Sequence, residues 1–391
     1  MSTDDSLPAQ YLARRLREIG VPQSMSTAGA VATPAANPSR ITWTPPPGGF
    51  VGLSLINGLL RVLTLGVYHF WGKTEVRQRI WSAVRIDGEP LEYRGTGGEL
   101  FRGFIIVFAL VLVPLTLLGL LPLLWGPTIV GDASFQLLFI CGAVALGGLG
   151  MHRARRYRLS RTRWRGIRGG LSGRSLPFAW TYFWTWLLIP FTLGWIVPWR
   201  AARLQRDLFN DTRFGDKAFA FTGRAGPLYA RYWLVWVSAI VLYFAAAIAI
   251  GVIIAVGGPL PPGGGFPQFS YGQIAALVAT ILAALLIFAM IRAWYSSGML
   301  NYFAAETTYH GCSFRLRTTV LTLVWLVASN FLIRILSLGV LTPITEARTM
   351  RYIIDRLSLE AAVDWPAVGQ NPDALLARGE GLAEAFDVDA F

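Results

Sequence analysis

The stretch Asn57-Gly58-Leu59-Leu60-Arg61-Val62-Leu63-Thr64-Leu65-Gly66 has a counterpart near the other end of the chain, Asn330-Phe331-Leu332-Ile333-Arg334-Ile335-Leu336-Ser337-Leu338-Gly339. Between them, Thr192-Leu193-Gly194 repeats the last three positions, with Thr185 and Ile189 where the outer copies carry Asn and Arg. Each triplet closes an apolar stretch of about 20 residues, the length that matters to a bilayer. The pattern predicts a polytopic α-helical membrane protein built by internal duplication, with two equivalent arginines at membrane depth.

Composition agrees. Hydrophobic residues make up 54% of the chain and the mean hydropathy is +0.48, which sets it apart from soluble globular domains. No secretory signal is expected, since the first apolar run begins only at Phe50. The net charge is +13, and all but Lys73 and Lys217 of the 35 basic residues are arginines. Residues 357–391 run against this trend, with seven acidic residues and only Arg378 basic. Cys141 sits in an apolar run and Cys312 in an Arg-rich one, which argues against a disulfide. His69, His152 and His310 have no zinc-like spacing, so no metal or cofactor is expected.

Three regions follow. Residues 1–49, rich in Ser, Ala, Thr and Pro, read as a disordered lead with a short amphipathic helix at Leu7–Ile19. Residues 50–356 form the membrane domain, and 357–391 a mostly disordered acidic tail. Apolar segments fall at roughly 50–71, 102–124, 133–151, 178–199, 230–257, 271–296 and 319–343. Two pairs, 102–124 with 133–151 and 230–257 with 271–296, form transmembrane hairpins whose connections lack basic residues. The arginines lie in the other connections, so the positive-inside rule puts those in the cytoplasm and both termini with them. Segments 178–199 and 319–343 are then flanked by arginine on both sides. The three Thr/Ser-Leu-Gly segments should enter and leave one face, as re-entrant half-helix pairs or interfacial helices bent at Leu-Gly. Seven simple spans are the alternative.

A second unit recurs four times on the cytoplasmic side: a short helix, then a β-hairpin. Its turns are marked by Asp87-Gly88, Arg165-Gly166, Gly215-Asp216 and His310-Gly311. Alternation after them, as at Phe219 and Phe221 or Phe314 and Leu316, fits half-buried strands. Two-stranded ribbons are unstable alone, so the four should pair or pack into one layer.

Residues 50–356 resemble the YjgN-like family of bacterial inner-membrane proteins. The match rests on Asn57, Thr64-Leu65-Gly66, Trp71, Lys73, Arg77, Arg79, Asp87-Gly88, Tyr93-Arg94-Gly95, Thr162 to Arg168, Thr192-Leu193-Gly194, Pro198-Trp199, Arg203, Phe214-Gly215-Asp216 and Phe219 to Gly223. The resemblance implies an inner-membrane location and this fold. It implies no reaction, because the family's function is unknown.

The candidate ligand site is Asn57 with Arg61 and Asn330 with Arg334. At i and i+4, Asn and Arg share a helix face. An Arg in hydrocarbon costs about 2.5–3.5 kcal/mol on insertion scales and normally faces a cavity or a partner. The two pairs could converge on one anion. The plainer reading is that each Arg snorkels to the interface or pairs with an acid such as Glu75, Glu99, Glu306 or Glu346. The densest cluster, Arg153, Arg155, Arg156, Arg158, Arg161, Arg163, Arg165 and Arg168, lies between membrane segments and is expected to bind anionic lipid headgroups rather than nucleic acid. The many Trp residues at segment ends read as an aromatic belt. No nucleophile elbow, metal-ligand helix or intramembrane carboxylate pair is present, so the chain is not expected to be an enzyme. Two functions compete: transport or channel-type handling of a small anion or lipid-like solute, and a non-transporting scaffold or envelope organiser that holds anionic lipid while its acidic tail recruits a protein partner.

Overall fold

The computed structural model describes residues 39–370, apart from 110–112, 115, 118, 121–128 and 257–269. The helix expected at Leu7–Ile19 and the tail from 371 onward lie outside the described residues.

Five β-strand junctions organise everything else. Strand β1 (Ile41–Trp43) leads into helices α1 (Val51–Leu63) and α2 (His69–Ala83), which return to β2 (Val84–Ile86). β2 turns into β3 (Glu89–Pro90), continued after Leu91 by β4 (Glu92–Tyr93). Helices α3 (Gly97–Val107) and α4 (Ile129–Arg161) lie between β4 and β5 (Thr162–Trp164), which turns into β6 (Ile167–Leu171). Helices α5 (Ser175–Phe191) and α6 (Val197–Asn210) lead to β7 (Thr212–Phe214) and β8 (Lys217–Phe221). Then α7 (Gly226–Val256) and α8 (Tyr271–Ala305) precede β9 (Thr307–Tyr309) and β10 (Cys312–Leu316). Last come α9 (Val320–Leu336), α10 (Thr342–Ile354) and β11 (Leu357–Leu359).

Every helix pair joins two strands that are antiparallel neighbours: β1 with β2, β4 with β5, β6 with β7, β8 with β9 and β10 with β11. The remaining connections are two-residue turns. Asp87-Gly88, Arg165-Gly166 and His310-Gly311 have positive φ at both positions, the mirror-image turn that matches strand twist. Gly215-Asp216 has it at Gly215 alone. Turns therefore mark one edge of the strands and helices leave from the other. The strands form a three-stranded and an eight-stranded sheet, and β1 lies against β11. Their shared interior holds Tyr309, Cys312 and Leu359, with Ile41, Ile167, Phe214, Phe219 and Phe314 packed on them. Phe219 and Phe314, inward by alternation, stand 6.1 Å apart. Burial pushes the Tyr309 phenol up to about 12, with Asp216 adding to the shift, so it stays a donor to the Phe214 carbonyl.

The ends of the chain differ from expectation. The lead assigned to 1–49 already contains β1, and Asp87 accepts the Arg40 amide at 2.7 Å. Three residues among Ser, Pro and Thr are too few to register as a strand in sequence. The tail assigned to 357–391 is structured through Gln370. β11 pairs with β10. Trp365 packs 4.5 Å from the fully buried Trp164 and donates its indole N–H to Asp87. Gly369 exchanges hydrogen bonds with Asp216, and Gln370 bonds to both Gly166 and Arg168. The acidic count of this segment hides an apolar series, Leu359, Val363, Trp365 and Val368, that fills the strand interior.

Among the described residues, Ala133–Arg161, Gly226–Ile253 and Tyr271–Ala305 are helical segments long and apolar enough to cross a membrane. At 1.5 Å per residue, α4, α7 and α8 reach roughly 50 Å, whereas α1 reaches roughly 20 Å and α5 and α9 roughly 25 Å, short of the ~30 Å hydrocarbon thickness. The partner of α4 expected at 102–124 is described only in part.

Two substitutions test the terminal strap. Trp365→Ala should destabilise the purified protein by about 3 kcal/mol, the low end for a Trp truncation because the ring is half-buried. Limited proteolysis should then cut between 357 and 370 first. Gly215→Ala should expose the same stretch, because its Cβ would collide with the Gly369 carbonyl. An unchanged cleavage pattern in both variants would refute this packing.

Candidate functional site

All three Thr/Ser-Leu-Gly triplets adopt one conformation. Thr64, Thr192 and Ser337 cap helices α1, α5 and α9. The next Leu and Gly both take positive φ: 51° and 92°, 49° and 81°, 48° and 82°. The Gly amide donates five residues back, to Arg61, Ile189 and Arg334, and the Leu amide three back, to Val62, Pro190 and Ile335. These are the paired bonds of a Schellman helix end. The hydroxyl joins the two helices. It donates back into the first, to Leu60, Leu188 or Arg334, and accepts from the backbone at the start of the second, from Tyr68, Ile196 or Leu341. One apolar segment thereby becomes a helical hairpin.

The Leu is the unusual member. A left-handed conformation costs an L-residue roughly 1–2 kcal/mol and favours Gly. Yet Leu65, Leu193 and Leu338 occupy it, exposed to 95%, 73% and 93%.

Asn57 and Asn330 play matching parts. Each amide Nδ2 donates across its own hairpin, Asn57 to Gly72 at 3.5 Å and Asn330 to Thr345 at 3.3 Å. In both, Oδ1 is buried and unpartnered. In the middle hairpin Thr185 bonds back to Thr181 instead, and Arg200 takes the place of Gly72 and Thr345, its guanidinium 4.4 Å over Tyr182. That hairpin is covered differently as well, for Tyr232 and Trp236 of α7 donate to Gly194 and Leu193.

The first and third hairpins meet each other. Gly58 packs so closely on Val340 that a methyl group there would stand 2.6 Å away. Beside this contact lies a cavity of about 710 Å3, lined by Asn57, Arg61, His69, Lys73, Arg334, Thr342 and Glu346, with Val62, Leu65 and Leu338 among its apolar walls. Three of the four expected site residues thus line one cavity. Asn330 does not, but it anchors the element that does: it bonds to Thr345 and Thr349, and Arg334 Nε donates to Thr345 Oγ1 at 2.8 Å. The Arg61 side chain has no hydrogen bond or ion pair among the described residues. Lys73 was not among the expected site residues, and Glu346 was expected only as one acid with which an arginine could pair. Each falls nine residues after its triplet's first position.

The arginines of 153–168 are spread through the structure. Arg156 donates to Leu171 and Gly173, and Arg161 bonds Glu99 at 2.6 Å. Arg155 lies over Phe209 and Arg165 over Trp164. Arg158 is buried, and Arg163 pairs in register with Arg168 across β5 and β6. Arg153 is half-buried, and Arg165 alone of the eight is exposed. His152 is buried 3.0 Å from Ser175 with its Nε2 unpartnered. No acidic group completes a catalytic set among the described residues there, and none of their His, Cys, Asp and Glu clusters could hold a metal.

The comparisons agree with the resemblance seen in the sequence. The chain matches the family described as "Bacterial protein of unknown function (DUF898)" over residues 39–385. It is similar to the inner membrane protein YjgN of Salmonella typhimurium (strain LT2), 34% identical over 71 residues. That match spans 18% of each chain, so most of the relative's length is not covered. No solved structure matches the chain. With its apolar helices and a match running from β1 past β11, this is a membrane protein, and it belongs to the DUF898 family of bacterial proteins of unknown function.

Proposed function

We propose that the chain sits in the bacterial inner membrane, its strands on the cytoplasmic side, and that the first and third hairpins hold an anion in the cavity between them as part of a transport or channel-type activity. The carrying observation is that Arg61 and Arg334, from hairpins far apart in sequence, line one cavity. Its fixed charges, Arg61, Lys73 and Arg334 against Glu346, sum to an excess of positive charge.

The strand pairing supports re-entry as part of this reading. Both ends of each hairpin are tied to paired neighbouring strands, which brings the chain back to the sheet edge it left. Helix α1 is too short to cross. The strained, exposed Leu at each tip has a reason if the tip lies in hydrocarbon, where burying a Leu side chain returns about 1.5–3 kcal/mol, enough to offset the left-handed backbone. The similarity to an inner-membrane relative supports the location.

Thiol labelling tests the arrangement. Cys141→Ala removes one thiol, and Cys312 is buried and can stay. Ser172→Cys and Ala218→Cys, on either side of the middle hairpin, should both react with an impermeant maleimide in inverted vesicles and neither in intact cells. Labelling from opposite sides would sink re-entry. Val62→Cys, in the cavity wall, should react several-fold faster with an anionic thiosulfonate than with a cationic one, and Arg61→Gln with Arg334→Gln should abolish the preference. A second measurement reads depth. A nitroxide at position 65 or 338 should be relaxed more by oxygen than by an aqueous nickel chelate; the reverse order would place the tips in water.

A further inference from the structure

We propose that the cavity between the first and third hairpins binds the phosphate of an anionic membrane lipid, entering sideways from the cytoplasmic leaflet. The inference rests on the anion-binding reading above and names its ligand.

The argument is the order of residues along the hairpins. Helix α1 runs away from the strands, so the cavity meets Asn57 first, then Arg61, then Leu65 at the tip. Helices α2 and α10 run back, bringing Lys73 and Glu346 to the strand side. At the tips the wall carries exposed Leu65 and Leu338 beside Tyr68, His69 and Thr342; nearer the strands it carries Lys73 and Glu346 with Val76, and the two guanidinium groups stand between. A lipid of the cytoplasmic leaflet is ordered along the same direction, headgroup towards the cytoplasm and chains towards the bilayer centre. A free anion needs no exposed leucines.

The mouth fits as well. Val62, Leu65 and Leu338 are exposed on the cavity wall, and Leu63 and Leu336 are exposed beside the tips. Acyl chains lying across them would cover surface that faces hydrocarbon in the re-entrant arrangement. The charges fit a phosphate: a net excess of two positive charges, with two guanidinium groups that bind phosphate oxygens in pairs. Among the described residues the Arg61 side chain has no hydrogen-bond or ion-pair partner, and Arg334 gives only Nε, to Thr345, leaving its terminal nitrogens for a ligand. A headgroup with the first carbons of its chains fits within about 710 Å3.

Lipid retention tests it. Purified full-length protein is incubated in detergent with phosphatidic acid, with phosphatidylcholine, or with phosphatidic acid plus inorganic phosphate, and bound lipid is counted by native mass spectrometry. The wild type should keep phosphatidic acid in preference to phosphatidylcholine. Arg61→Gln with Arg334→Gln should reduce retention at least ten-fold. Arg224→Gln, which removes an exposed charge between β8 and α7, should not change it. Arg61→Lys with Arg334→Lys keeps the charge without the forks and should retain an intermediate amount, which guards against loss through misfolding. Equal retention by wild type and the Gln pair overturns the proposal. Displacement of the lipid by millimolar inorganic phosphate also overturns it, because the ligand is then a soluble anion. If Val62→Cys still prefers the anionic reagent while retention is unchanged, the lipid inference falls alone. If the preference is absent too, the anion reading falls with it.

Discussion

Antiparallel pairing of strands on either side of every helix pair is the constraint on which the molecule depends. With β1 held to β2, β6 to β7 and β10 to β11, the intervening helices must go out and come back. The same holds for the long pair α7 and α8, fixed by β8 and β9. Short strands suffice because each junction is closed on its other side by a two-residue turn, and because neighbouring ribbons continue one another's ladders. Ribbons that would be unstable singly share one interior.

Given that frame, helix length decides what each hairpin does. The long helices have the reach and the outward apolar surface of spans. Val241, Phe244, Ile248, Leu282, Leu285 and Leu286 are all exposed on α7 and α8, as lipid-facing residues must be. The short pairs are shorter than the hydrocarbon is thick, and at each turn several helix-end groups are bonded internally. The Schellman bonds use the last carbonyls of the first helix, and the Thr or Ser hydroxyl serves the first amides of the second. These bonds reduce the number of unpaired polar groups at the break. That economy explains why the triplet recurs unchanged in the middle copy, where Asn and Arg are missing.

The difference between the copies is a difference of neighbours. The outer hairpins use each other, Gly58 seating Val340, and keep a polar cavity at the join. The middle hairpin is sealed by Tyr232 and Trp236 of α7, which donate to the turn carbonyls. Its position 189 can therefore be Ile. The arginines of 153–168 show the converse. Their density in sequence suggested one headgroup-binding face; in space Arg156, Arg161 and Arg155 contact backbone carbonyls, Glu99 and the Phe209 ring within the junction.

The sequence by itself determined the periodic and local features: the membrane class, the three helix breaks, the four strand turns and the equivalence of Asn57 with Asn330 and Arg61 with Arg334. Each depends on residues within one or two helical turns or strand steps, where spacing translates directly into geometry. Tertiary structure decided what no local pattern encodes. It showed that the first hairpin meets the third, that Lys73 and Glu346 join Arg61 and Arg334 while Asn330 stands behind as an anchor, and that strands lie at Ile41 and Leu357. The physical reason is that these outcomes depend on which surfaces fit. Gly58 has room for Val340, and a few apolar residues among acids fill the strand interior, so the fit is set by residues hundreds of positions apart.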